Sequence, residues 1–121
     1  MRSPSREDET MQYLLLIYSN EQSTPSSPEI MQEYMAFGAD TRGKGQMVAG
    51  DRLQDVATAT TVRVKDGKTI TTDGPFAETR EQLGGYYLVE AKDLDEAVGL
   101  AARIPAARWG SVEVRPVFVF N

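Results

Sequence analysis

Six consecutive apolar residues, Tyr13-Leu14-Leu15-Leu16-Ile17-Tyr18, constrain this chain more than any other segment. The run is too short for a typical helix and reads as a strand, with Tyr13, Leu15 and Ile17 on one face and Leu14, Leu16 and Tyr18 on the other. Both faces need cover. The supply of helices to provide it is small. Ser27 can cap a helix opened by Pro28, along which Ile30, Met31, Tyr34, Met35 and Phe37 recur as a core stripe until Gly43 and Gly45 stop it. Asp93 caps a second helix, with Glu96 in a capping-box position, a stripe of Leu94, Ala97, Val98, Ala101 and Ile104, and Pro105 as terminator.

The remaining signals are strands. Residues 46–53 form a second one, weakened by Gly50, and residues 58–64 and 68–72 form a hairpin around Asp66-Gly67. In residues 85–91, Tyr86, Leu88 and Glu90 face one way and Tyr87, Val89 and Ala91 the other. The last strand, 111–120, alternates Val112, Val114, Pro116, Phe118 and Phe120 against Glu113, Arg115, Val117 and Val119. Strand, helix, strand, hairpin, strand, helix, strand is the order of an α+β fold, a ferredoxin-like split βαβ sheet with an inserted β-hairpin. Two helices cover one face of such a sheet. Tyr18, Tyr86 or Tyr87, Val117 and Val119 leave apolar surface on the opposite face, so a homodimer is expected, with a ligand cleft between the two sheets.

The 121 residues make one domain, in which residues 1–10, with Arg2, Arg6, Glu7, Asp8 and Glu9, are expected to be a mobile tail ahead of a domain at 11–121. Without Cys or His the chain lacks the usual ligands of zinc, copper and haem, a thiolate nucleophile and an imidazole base; only a carboxylate site for a hard cation is left open, and no metal and no cofactor are expected. A formal net charge of −5 opposes direct nucleic-acid binding and an anionic membrane surface. No apolar run approaches the ~20 residues of a membrane span and the first residues are charged, which gives a cytoplasmic expectation.

The most distinctive stretch is Asp73-Gly74-Pro75-Phe76, followed by Glu78-Thr79-Arg80-Glu81 and Leu83-Gly84-Gly85-Tyr86-Tyr87. Together with residues 13–18, Val48-Ala49-Gly50-Asp51-Arg52-Leu53 and Gly110-Ser111-Val112-Glu113-Val114-Arg115-Pro116, it resembles the YCII-related family, and within it the DGPF-domain proteins, from Met11 to the end. The resemblance implies a ferredoxin-like subunit assembled as a dimeric α/β barrel. It implies no single reaction, and it associates such chains with extracytoplasmic-function sigma factors, an accessory role in regulated transcription. Enzyme-like members carry a His–Asp dyad; a chain without His takes over the Asp73 to Phe76 signature but not that dyad.

Two readings of the signature follow. In the first, Asp73 caps a turn by accepting backbone N–H bonds, Gly74 supplies unusual dihedrals, Pro75 fixes the exit and Phe76 plugs the core. In the second, the turn sets the Asp73 carboxylate at the cleft mouth as a ligand anchor or as a general base working with Tyr18 or Tyr86. Arg52, Arg80 and Arg115 are candidate anchors for a small polar or anionic ligand, and Glu113, on the same strand face as Arg115, competes for its charge. Gly84-Gly85 lacks the spacing of a phosphate loop and reads as a strand entry allowing close backbone approach. A small-ligand-binding or regulatory accessory domain is the first functional reading, with a metal-independent enzyme and a purely structural interaction module beside it.

Overall fold

A computed structural model describes residues 9–120. The elements run β1 (Met11–Ser19), α1 (Pro28–Gly43), β2 (Met47–Arg52), a 3-10 turn (Val56–Thr58), β3 (Thr60–Lys65), β4 (Lys68–Asp73), β5 (Gln82–Ala91), α2 (Leu94–Ala102), a second 3-10 turn (Pro105–Arg108) and β6 (Ser111–Pro116). Of the expected tail, residues 1–8 lie outside the described residues, and Glu9 and Thr10 lead into β1.

The helix starts follow from capping. The Ile30 N–H donates to Ser27 Oγ at 3.2 Å, with Pro28 in the first turn. The Glu96 N–H donates to Asp93 Oδ1 at 2.9 Å, and Glu96 Oε1 in return accepts from the Lys92 N–H, one residue earlier than in a standard capping box. The buried faces differ from the expected stripes. On α1 the inward line is Ile30, Tyr34, Phe37, Gly38 and Thr41, while Met31 and Met35 are 51% and 67% exposed. These positions lie at i, i+4, i+7, i+8 and i+11, a better fit to 3.6 residues per turn. Thr41 can be buried because its hydroxyl donates to the Phe37 carbonyl at 2.7 Å. On α2 the line is Ala97, Leu100, Ala101 and Ile104, and Leu94 and Val98 face outward.

The main sheet is antiparallel with order β2-β5-β1-β6. With the two helices this is an α+β architecture compatible with the ferredoxin-like split βαβ pattern. Both helices pack on the face carrying Tyr13, Leu15, Val89 and Ala91, which join Phe37, Leu100 and Ile104 in the core. Tyr87 belongs to this side, its ring tilted against Phe37 with centroids 5.2 Å apart. Gly50 is what admits it: a Cβ there would stand 2.4 Å from Tyr87 Cδ1. Where alternation alone makes Gly50 a weakness, the packed strand needs it.

Two strand boundaries move. β5 begins at Gln82 because Gly85 lets the backbones close up, its would-be Cβ lying 2.9 Å from the Asp51 carbonyl oxygen, and Gly84 is the extra residue where the pairing slips between Ile17↔Gly85 and Tyr18↔Leu83. β6 ends at Pro116 rather than at 120: Pro116 pairs Tyr13 but has no N–H to donate, Val117 makes one further bond to Gln12 O near the start of β1, and among the described residues no strand lies beyond. Val117 and Val119 are therefore outside the sheet. The hairpin β3–β4 forms its own two-stranded sheet, turning through Asp66 (φ 52) and Gly67 (φ 75) as the sequence predicts.

Candidate functional site on the open sheet face

Among the described residues no helix or strand packs over the face away from the helices, and strand register fixes which side chains share it. β1 pairs Leu16 with Tyr86 and Leu14 with Leu88; β6 sets Glu113 beside Leu16 and Arg115 beside Leu14; β2 sets Asp51 beside Tyr86 and Ala49 beside Leu88. Two rows thus cross the sheet: Asp51, Tyr86, Leu16, Glu113, and Ala49, Leu88, Leu14, Arg115. Leu14, Leu16 and Leu88 are only half-buried, although they form the middle of the sheet.

The rows end in polar pairs. On one side the Tyr86 hydroxyl donates to Asp51 Oδ2 at 3.0 Å. That hydrogen bond, and the carboxylate charge behind it, hold the Tyr86 phenol above its usual pKa, since ionisation would set two anions side by side. Tyr86 keeps its proton here and suits the role of donor rather than base. On the other side Arg115 is ion-paired with Glu113, as their shared face predicts, and the pairing raises the guanidinium pKa. Tyr18 lies near enough to add to that effect. From Tyr86 on β5 to Glu113 on β6 is two inter-strand steps, about 10 Å, over an apolar floor.

The other candidates lie elsewhere. Arg52, next to Asp51 along β2, points the opposite way and lines a shallow groove with Leu53, Gln54, Asp55 and Thr58. Arg80 is exposed, with no polar partner among the described residues. Asp73 ends β4 opposite Thr60, also exposed, and among the described residues its carboxylate accepts no hydrogen bond. The turn is closed by backbone instead: the Gly74 N–H donates to the Ala59 carbonyl at 2.7 Å, and Thr61 Oγ donates to the Gly74 carbonyl at 2.8 Å. Gly74 has φ 96, the unusual dihedral expected of it. Phe76 does not plug the core. It is 80% exposed and lines a groove with Thr60, Thr61, Val62 and Arg63. Core volume on the helix side is already filled by Phe37, Tyr87 and Trp109.

The carboxylate beside Tyr86 is thus Asp51, which sequence reading missed as a site residue. Its signal is non-local: only the sheet order, together with the slip in register between Met47 and Ala49, sets it across from Tyr86.

The comparisons with known proteins bear on this whole unit. The family model of the YCII-related domain matches residues 11–121. An uncharacterised protein of Rhizobium meliloti (strain 1021) is 36% identical over 118 residues, covering 92% of this chain and 95% of that protein.

Proposed function

The chain belongs to the YCII-related domain family, and from that membership and the sheet geometry we propose that it is a homodimeric accessory domain binding a small anionic ligand on the open face of its sheet. The observation that carries this reading is the half-exposed floor of Leu14, Leu16 and Leu88 between the Tyr86–Asp51 and Arg115–Glu113 pairs. An apolar surface in mid-sheet favours a second copy as cover, and two such faces brought together enclose polar groups with a dry floor. Arg115 supplies a forked cation for a carboxylate or phosphate, the leucines take a hydrocarbon body, and Asp51 accepts from a donor at the far end. An accessory part in a sigma-factor pathway rests on family resemblance alone. Proton transfer between Tyr86 and a bound substrate is the enzymatic variant, and in it the raised phenol pKa keeps Tyr86 protonated, a donor rather than the base.

Native mass spectrometry of the protein as purified, with a thermal-shift screen of small carboxylates and phosphates, tests the binding reading. A retained small molecule or a ligand-dependent rise in melting temperature is expected, lost in Arg115→Ala. A bare dimer that no such anion stabilises would refute it and leave a structural interaction module.

A further inference from the structure

Charge on the open sheet face does not balance. Strand register places Asp51, Glu90 and Glu113 on it, with Arg115 as the one cation among the described residues of the four strands. Arg115 is ion-paired with Glu113. Asp51 has no such counter-ion: its Oδ2 accepts from the neutral Tyr86 hydroxyl at 3.0 Å, and among the described residues no other group donates to it. Arg52, its neighbour along β2, points to the opposite face. An ionised carboxylate offers about four lone-pair sites, so Asp51 keeps room for a charged donor.

Position gives a second constraint. Asp51 lies on β2 and Arg115 on β6, at opposite edges of the sheet. Arg115 stands one row along from Asp51, but its guanidinium is drawn to Glu113, which shares the Asp51 row. Three inter-strand steps, about 14 Å, therefore separate the unmatched carboxylate from the cation. Two charge-assisted hydrogen bonds of about 2.8 Å leave about 9 Å between the polar ends of a bridging ligand, the span of an extended chain of about six carbons. Between the two ends lie Leu16 and, in the next row, Leu14 and Leu88, half-buried and apolar.

We propose that the ligand of the open face is an ω-amino carboxylate, with its ammonium on Asp51, its carboxylate on Arg115 and its methylenes along the leucines. This rests on the small-ligand site proposed above and narrows its ligand from an anion to a zwitterion. A purely anionic ligand adds charge to a face that already carries three carboxylates against one guanidinium, whereas a zwitterion brings Asp51 the counter-ion it lacks. An α-amino acid such as glycine, with its two charges on neighbouring atoms, reaches only one edge.

Isothermal titration calorimetry with ε-aminocaproate, caproate, glycine and inorganic phosphate tests it. ε-Aminocaproate should bind at least about tenfold more tightly than caproate, the scale of one added charge-assisted hydrogen bond, and more tightly than glycine. The advantage over caproate should vanish in Asp51→Asn, whose melting curve checks that it is folded, while Arg115→Ala should weaken both six-carbon probes. Caproate bound as tightly as ε-aminocaproate, or an advantage that survives in Asp51→Asn, overturns the zwitterion and leaves the anion site standing. Binding of phosphate alone, lost in Arg115→Ala, does the same. Heat from none of the four probes overturns the zwitterion and the anion site together.

Discussion

Asp73 stands at the end of β4 with its carboxylate in solvent, and the backbone of Ala59 and Gly74 holds the turn. Had it capped the turn, removing it would cost roughly 0.5 to 2 kcal/mol, as a lost helix cap does. The geometry predicts less: Asp73→Ala should change stability by under about 0.5 kcal/mol, the range of surface substitutions. Urea melts of parent and variant check this, and a large loss of stability would restore the cap. Glycines make a sharper contrast. A Cβ on Gly110 would lie 2.1 Å from the Tyr18 carbonyl oxygen, which is backbone and cannot swing aside, whereas one on Gly99 in α2 meets nothing within 4 Å. Gly110→Ala should destabilise by about 1 to 3 kcal/mol, as overpacking does, and Gly99→Ala should stabilise by up to about 1 kcal/mol. Equal effects in thermal melts would contradict the packing described at both positions.

Within the helical layer, α1 is fastened to the end of α2 and to the second 3-10 turn by ion pairs. Arg108 holds Glu33 with two hydrogen bonds, of 2.9 and 2.7 Å, and Arg103 reaches Asp40 at 2.6 Å while lying over the Phe37 ring. Hydrogen bonds from Arg108 and from Arg103 hold the Glu33 and Asp40 carboxyls below their usual pKa. A carboxyl with a lowered folded pKa lends stability above its unfolded value and loses it as pH falls through the folded one. The melting temperature should therefore decline as pH drops below about 4 to 5, the ordinary carboxylate range, with part of the decline absent in Glu33→Gln and Asp40→Asn. Both pairs are exposed, so the effect should shrink in high salt. None of these ties was legible in the sequence, since Glu33 and Arg108 meet only when α1 and the second 3-10 turn pack on the same sheet. What was legible is local. Ser27 and Asp93 announce helix starts by chemistry confined to one turn, Asp66-Gly67 specifies its own backbone, and the alternation in 85–91 sorts Tyr86 from Tyr87. Met31, Met35, Leu94 and Val98 misled because an apolar side chain at helical spacing marks a face without saying whether that face is covered. Thr41 and Gly38 hid the true face of α1, one satisfying its hydroxyl on the helix itself and the other presenting no side chain to count.

At the scale of the molecule, a sheet with helices on one side leaves its other side to be explained. The run at residues 13–18 already implied two covered faces, and the structure supplies cover for one. Of the pairs that rim the uncovered face, Arg115 and Glu113 were legible from the alternation of a single strand, whereas Tyr86 and Asp51 meet only through the strand order that joins β2 to β5. Among the described residues no helix is long and apolar enough to cross a membrane. An open apolar floor with polar rims has its simplest cover in a second copy, and the proposed ligand site depends on that assembly. Sedimentation equilibrium at micromolar concentration, on the parent and on Leu16→Asp, tests it most directly. The parent should sediment at twice the 13.4 kDa of one chain. Leu16→Asp places a charge in the floor, where burial without a partner is costly, and should remain folded but sediment at the single-chain mass. A parent that stays monomeric, or a Leu16→Asp variant that dimerises as tightly as the parent, would contradict the sheet face as the seat of assembly.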